Sequence, residues 1–199
     1  MQDAINQTLR RVPTWPVYVL GLAPIPWLFW LGLSGGLGPE PIKALEHRYG
    51  VLGLQFLLAG LCVTPLRRFA GINAIRFRRA LGLVAFAFIA AHLLVWAVLD
   101  VQALSRVWAD IVKRPYITIG MAGFACLVPL AVTSTDRAVR WLGAPRWRQL
   151  HRLTYVAVGL GAVHFVMQAK GLQIAPLVYL GVAGVLLGLR TLPSGKRLA

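Results

Sequence analysis

Residues 80–99, ALGLVAFAFIAAHLLVWAVL, run for twenty positions between Arg79 and Asp100 without a charge, and His92 is their one strongly polar side chain. As a helix rising 1.5 Å per residue, such a run is about 30 Å long, the thickness of a bilayer's hydrocarbon core. Burying an imidazole at that depth is costly, so His92 is either a site residue or a histidine satisfied by a neighbouring helix.

The rest of the chain has the same character. Of its 199 residues 58% are hydrophobic and 14% charged, with mean hydropathy +0.67. A soluble domain of this length carries about 25% charged residues. Further charge-free stretches occur at 12–33, 49–66, 115–135, 153–169 and 171–189. Each is close to the roughly 17–25 residues a membrane helix requires. Pro13, Pro16, Pro24 and Pro26 predict that the first is kinked or starts late. Although Arg10 and Arg11 precede it, it lacks a small-residue cleavage site and is too long for a signal-peptide core, so it reads as a span. The prediction is an all-α membrane protein, a six-transmembrane helix bundle formed by one domain over 12–190, with short tails at 1–11 and 191–199. No internal repeat is visible. Cys62 and Cys126 lie inside separate apolar stretches and read as small packing residues.

Charge sets the orientation. The segments 66–79 and 136–152 together with Arg190 and both tails hold fifteen basic and two acidic residues, whereas 34–48, 100–114 and Lys170 hold six basic and four acidic. The positive-inside rule puts the first set, and so both termini, in the cytoplasm. The net charge of +15 is thereby topology and not a nucleic-acid surface.

Four histidines remain. His47, in KALEHRYG, reads as an interfacial side chain. His92 lies thirteen residues beyond Arg79, and His164 lies twelve beyond Arg152. Both are therefore about 18–20 Å from the cytoplasmic edge, on helices running in the same direction. Two imidazoles at one level are what a bis-histidine haem needs. Gly161 and Ala157 on the His164 face leave room for a flat ring, and Ala85, Phe88 and Trp96 offer an apolar wall beside His92. The plainer reading is that small residues only permit close helix packing and each histidine bonds a neighbouring helix.

His151 stands at the cytoplasmic start of the fifth stretch, thirteen positions before His164. That is about 20 Å along a helix, the right depth for a second haem, but about 140° around a straight one. No histidine of the third stretch matches its depth, where Arg78 and Arg79 stand instead. Spacing leaves His151 open between ligand and interfacial residue. No stretch holds an acid, which argues against a carboxylate metal centre or proton relay.

The runs TPLRR (64–68), RRALGL (78–83) followed by HLLVW (92–96), RPYITIG (114–120), LAVTSTDRAVRWLG (130–143) and WRQLHRLTYVAVGLGAVHF (147–165) resemble the MsrQ family, formerly called YedZ. These are haem-binding membrane subunits of periplasmic protein-methionine-sulfoxide reductase systems, within the ferric-reductase-like transmembrane group that includes the NADPH oxidases. The resemblance covers residues 12 to 190. It implies a multi-pass protein of the bacterial inner membrane that binds b-type haem, one or two, and places the family's haem-associated histidines on His92, His151 and His164. Electrons from the quinone pool or a cytosolic flavin reductase are then delivered to a periplasmic molybdopterin methionine-sulfoxide reductase that repairs oxidised proteins. FMN is associated with the family, with no residue pattern here to place it. The larger oxidases' second histidine on the third span is missing.

The function this predicts is transmembrane electron transfer, as an oxidoreductase subunit with no bond-forming chemistry of its own. The loops 34–48 and 100–114 face the acceptor. Arg78, Arg79 and Arg152 border the inner site as candidate partners for cofactor acids. Alternatives are a ferric or other external-acceptor reductase of the same group, and a non-redox anchor or transporter.

Overall fold

The computed structural model describes residues 2–169, 171 and 173–190; Lys170 and the tail 191–199 lie outside them. The described residues are helical and include no strand. A surface helix α1 (Gln2–Arg11) precedes a broken pair, α2 (Trp15–Leu22) and α3 (Pro24–Leu33). The break falls at Ala23, before Pro24 and Pro26, which lack the amide hydrogens a continuous helix needs. Helix α4 (Pro41–Phe69) is the longest, and Pro65 falls in its final turns. Helix α5 (Arg78–Leu94) continues into a π-helical segment, Val95–Val101. That segment stops at Gln102, whose backbone is left-handed (φ 63°); its backbone N–H donates to the Ala97 carbonyl at 3.1 Å and its side-chain Nε2 to the Leu99 carbonyl at 2.9 Å.

Five segments are long and apolar enough to cross a membrane: Trp15–Leu33, Pro41–Phe69, Ile75–Val101, Pro115–Val132 and Ala144–Gln168. The last two contain α7 (Pro115–Val132) and α10 (Leu153–Gln168). The expected sixth, over 171–189, is an apolar helix of 15 residues, α11 (Ile174–Gly188). At about 22 Å it is shorter than the others. Three helices absent from the sequence reading lie between spans: α6 (Leu104–Lys113), α8 (Asp136–Leu142) and α9 (Ala144–Leu150). None of them buries a residue.

Two antiparallel pairs make the bundle: α4 runs along α5, and α7 along α10. Their shared core holds Leu57, Leu61, Ala85, Val158 and Ala162, all at most 4% exposed. A second core joins α2 and α3 to α4 and α5 through Tyr49, Val84 and Phe88. The outward surface is apolar, with Leu20, Val98, Val132 and Val185 all more than half exposed, as a surface facing lipid tails must be.

Contacts also fix which ends lie together. Asn6 of α1 donates to the Gly71 carbonyl at 2.9 Å and accepts from the Asn73 amide at 2.8 Å. At the other end of the described chain, Arg190 donates to the Leu61 carbonyl at 2.9 Å and the Tyr155 hydroxyl at 3.0 Å. Both described ends of the chain therefore sit at the arginine-rich end of the bundle.

Candidate functional site

Two cavities among the described residues bear on function. The one away from the arginine-rich end, termed the outer cavity, is about 370 Å³, lies between the two helix pairs and is lined by His92 and His164. Their ring centres are 6.2 Å apart and their planes cross at 77°. Each imidazole is anchored on a different helix. His92 Nδ1 lies 2.9 Å from the Glu46 carbonyl of α4, and His164 Nδ1 lies 2.7 Å from the Tyr116 carbonyl of α7. A carbonyl can only accept, so in both rings Nδ1 carries the proton and donates it. Nε2 is then a lone-pair donor in each ring, and neither Nε2 has a hydrogen-bond partner among the described residues. The plain packing reading is thus met at one nitrogen of each ring and leaves the other available.

That arrangement fits a metal between the rings. Two imidazole nitrogens each about 2 Å from one ion put their ring centres about 6 Å apart. A second-sphere carbonyl on Nδ1 is also the usual way a ligating histidine is oriented and made more basic. Ala157 and Gly161 line this cavity, as the spacing predicts, and so does Trp96. Ala85 and Phe88 do not: both are fully buried, in the two cores. Lys43, Glu46, Asp100 and Arg114 stand at the outer part of the cavity. His47 joins them, its ring 5.8 Å from Phe165. No group of three or more His, Cys, Asp or Glu that could hold a metal occurs among the described residues, so a two-histidine site is the one offered.

The inner cavity, about 1030 Å³, brings His151 together with Arg78, Arg79 and Arg152, and adds Arg76 and Arg148. Arg79 pairs with Asp136 at 2.7 Å. His151 packs against Trp147, ring centres 3.8 Å apart. Its Nε2 lies 3.1 Å from the Thr133 hydroxyl, which donates to the Pro129 carbonyl at 2.6 Å and so accepts from the imidazole. No second histidine lines this cavity. The helix is not straight here: α9 ends at Leu150, and short-range bonds from Arg152 to Gln149, Thr154 to His151 and Tyr155 to Arg152 tighten the turn before α10. The angle expected between His151 and His164 on a uniform helix therefore does not apply. Leu57 and Leu127 line both cavities, and between them Phe86 on the inner side stacks on Phe124 on the outer side.

A membrane bundle that clamps two imidazoles between helix pairs defines a class of cofactor-binding membrane subunit. Residues 48–162 match the family model described as ferric reductase like transmembrane component, and the chain belongs to that family. It is 47% identical over 177 residues to the protein-methionine-sulfoxide reductase heme-binding subunit MsrQ of Agrobacterium fabrum, covering 88% of this chain and 82% of that one. The subunit of the same name from Brucella anthropi is 46% identical over 175 residues, covering 87% and 79%; that from Brucella ovis is 45% identical over 174 residues, covering 87% and 79%. No solved structure matches the chain significantly.

Proposed function

We propose that the chain is the haem-carrying membrane subunit of a protein-methionine-sulfoxide reductase, moving electrons across the bacterial inner membrane to a periplasmic molybdopterin partner. The observation that carries this reading is the pair His92 and His164, Nδ1 of each committed to a backbone carbonyl and their ring centres 6.2 Å apart. The names of the relatives give the cofactor class and the system; those names mention haem and not flavin. FMN stays a cofactor that the family resemblance implies, with no residues assigned to it.

His92 and His164 hold a b-type haem in the outer cavity, where the group supplies reversible one-electron chemistry. The surrounding residues set its conditions. Glu46 and Tyr116 fix ring tautomer and orientation through their carbonyls. Leu54, Phe124 and Ala157 keep the inner part of the cavity apolar, which tunes the potential by excluding water. Lys43 and Arg114 supply positive charge for the acidic groups of the ligand at the outer end. Six spans, with α11 as the sixth, place both termini in the cytoplasm and the outer cavity towards the periplasm, where 34–48 and 100–114 receive the partner.

In the inner cavity His151 is the proposed imidazole for a second haem, with Arg78, Arg79 and Arg152 as partners for its propionates. As placed, Nε2 serves Thr133, so ligation uses Nδ1 or releases that bond. The electron donor, quinone or a cytosolic flavin reductase, meets the protein at this arginine-rich end.

A visible spectrum of purified protein from a haem-replete host, before and after dithionite, tests the reading. The expected result is a Soret band with a sharp reduced α-band. His92→Ala and His164→Ala each remove the outer contribution. Absence of both bands from the wild type, or their retention in both variants, sinks the proposal.

A further inference from the structure

The two histidine seats are built alike. In α4 the carbonyl of Glu46 takes the His92 proton, and four residues on stands Gly50; in α7 the carbonyl of Tyr116 takes the His164 proton, and four residues on stands Gly120. A Cβ on Gly50 would lie 3.1 Å from His92 Nδ1 and 3.3 Å from Cε1. A Cβ on Gly120 would lie 2.9 Å from His164 Nδ1 and 3.0 Å from Cε1. The correspondence runs further, to Gly53 and Gly123 three positions later and to Ala85 and Ala157 seven positions before each histidine. Each helix pair is thus one copy of the same unit: a carbonyl, a glycine one turn on, and a histidine from the partner helix laid across the gap.

We infer that Gly50 and Gly120 are positioning residues that set the planes of the two imidazoles, and through them the ligand field of whatever metal the pair holds. Each ring is pinned at Nδ1 by its carbonyl, and its Nδ1–Cε1 edge rests where the glycine lacks a side chain. A ring in that seat cannot retreat from an added methyl without stretching its hydrogen bond, so it must turn. The two seats face each other from different helix pairs, and the planes they impose cross at 77°. Crossed imidazole planes leave two of the iron d orbitals nearly equal in energy, whereas parallel planes split them. The seats therefore select a strongly anisotropic low-spin ferric centre, which packing or propensity alone does not. Alanine is a better helix former than glycine, so its introduction has no adverse effect on the backbone.

This inference rests on His92 and His164 being the ligand pair, and its test separates the two claims. Electron paramagnetic resonance of the oxidised holoprotein should show the outer centre as a low-field, highly anisotropic signal, without the three-line rhombic spectrum of parallel imidazoles. To isolate that centre, the measurement is repeated in His151→Ala. Gly120→Ala, whose Cβ meets the ring more closely, should move the signal towards the rhombic type further than Gly50→Ala. Gly60→Ala, on the same helix pair but with its nearest neighbour Leu81 Cβ at 4.0 Å, should leave it unchanged. A rhombic signal in the wild type overturns the inference even when the alanine variants cannot be purified. An anisotropic signal that neither alanine shifts, with haem still bound, overturns it equally. In both of these cases haem bound through the two histidines stands, whereas haem retained in His92→Ala and His164→Ala removes the ligand pair itself.

Discussion

Phe86 stacks on Phe124 with ring centres 5.8 Å apart and planes within 9° of parallel, and the pair stands between the inner and outer cavities. With Leu57 and Leu127 it forms a thin apolar wall. Side chains alone therefore separate the two cavities, with Leu57 and Leu127 lining both.

Removing the wall on one side joins the cavities. Phe124→Ala is expected to cost about 1–3 kcal/mol, below the full cost of a buried Phe because the ring is only half-buried. Admitting water next to the outer site also shifts its midpoint potential, because the apolar shell sets the local dielectric. Phe124→Leu keeps most of the volume and should show less of both. Thermal unfolding and a redox titration followed in the α-band measure the two effects, and an unchanged potential in Phe124→Ala contradicts the wall.

Tyr49 is 2% exposed and donates to the Ile25 carbonyl at 2.6 Å, tying α4 to the proline-rich start of α3. Tyr49→Phe leaves the ring in place and takes away one interhelical hydrogen bond, worth about 0.5–1.5 kcal/mol in a membrane bundle. The unfolding midpoint should fall while the visible spectrum stays that of the wild type, because the bond lies outside both cavities. A spectral change would tie the α2–α3 pair to the histidine site.

His151 and Thr133 can be separated by substitution. If His151 is a ligand, His151→Ala should lower the iron-to-protein ratio from two to one while the bis-histidine spectrum remains. Thr133→Val removes the hydroxyl that accepts from Nε2; it frees the nitrogen for metal and should hold the ratio at two. Iron analysis with protein quantitation decides it. A ratio of one in the wild type returns His151 to the role its present contacts already give it, that of an interfacial side chain packed on Trp147.

What the sequence disclosed depended on the range over which each feature acts. The matched depth of His92 and His164 follows from a rise of 1.5 Å per residue and two arginine boundaries, both local properties, and the fold brings the two rings together. Their anchors were not legible, because any residue has a carbonyl and those of Glu46 and Tyr116 lie 46 and 48 positions from the histidines. The glycine seats hide for the same reason: one glycine among 20 acquires meaning only once a partner helix lies against it. The break at Ala23 was readable from the prolines, whereas α6, α8 and α9 fell inside what read as loops. Helix α6 is strongly two-faced, with Leu104, Trp108 and Val112 exposed along one side, and a search for charge-free runs passes over such a helix.

The outer cavity can also be tested without touching a ligand. Gly161 lies one turn before His164 and lines the cavity, and a Cβ built there has only Leu54 Cδ1 within reach, at 3.8 Å. The space beyond it is therefore cavity and not packed side chain. Gly161→Leu should project a branched side chain into that space while improving the intrinsic helix propensity of α10, by somewhat less than the roughly 0.8–1 kcal/mol that separates glycine from alanine. The expected protein is folded, with both histidines intact, but without the outer haem. Gly161→Ala, which adds one methyl in ordinary contact, should keep it. Full haem content in Gly161→Leu would mean that the ring lies elsewhere, whereas loss in the leucine variant alone assigns the cavity by its shape.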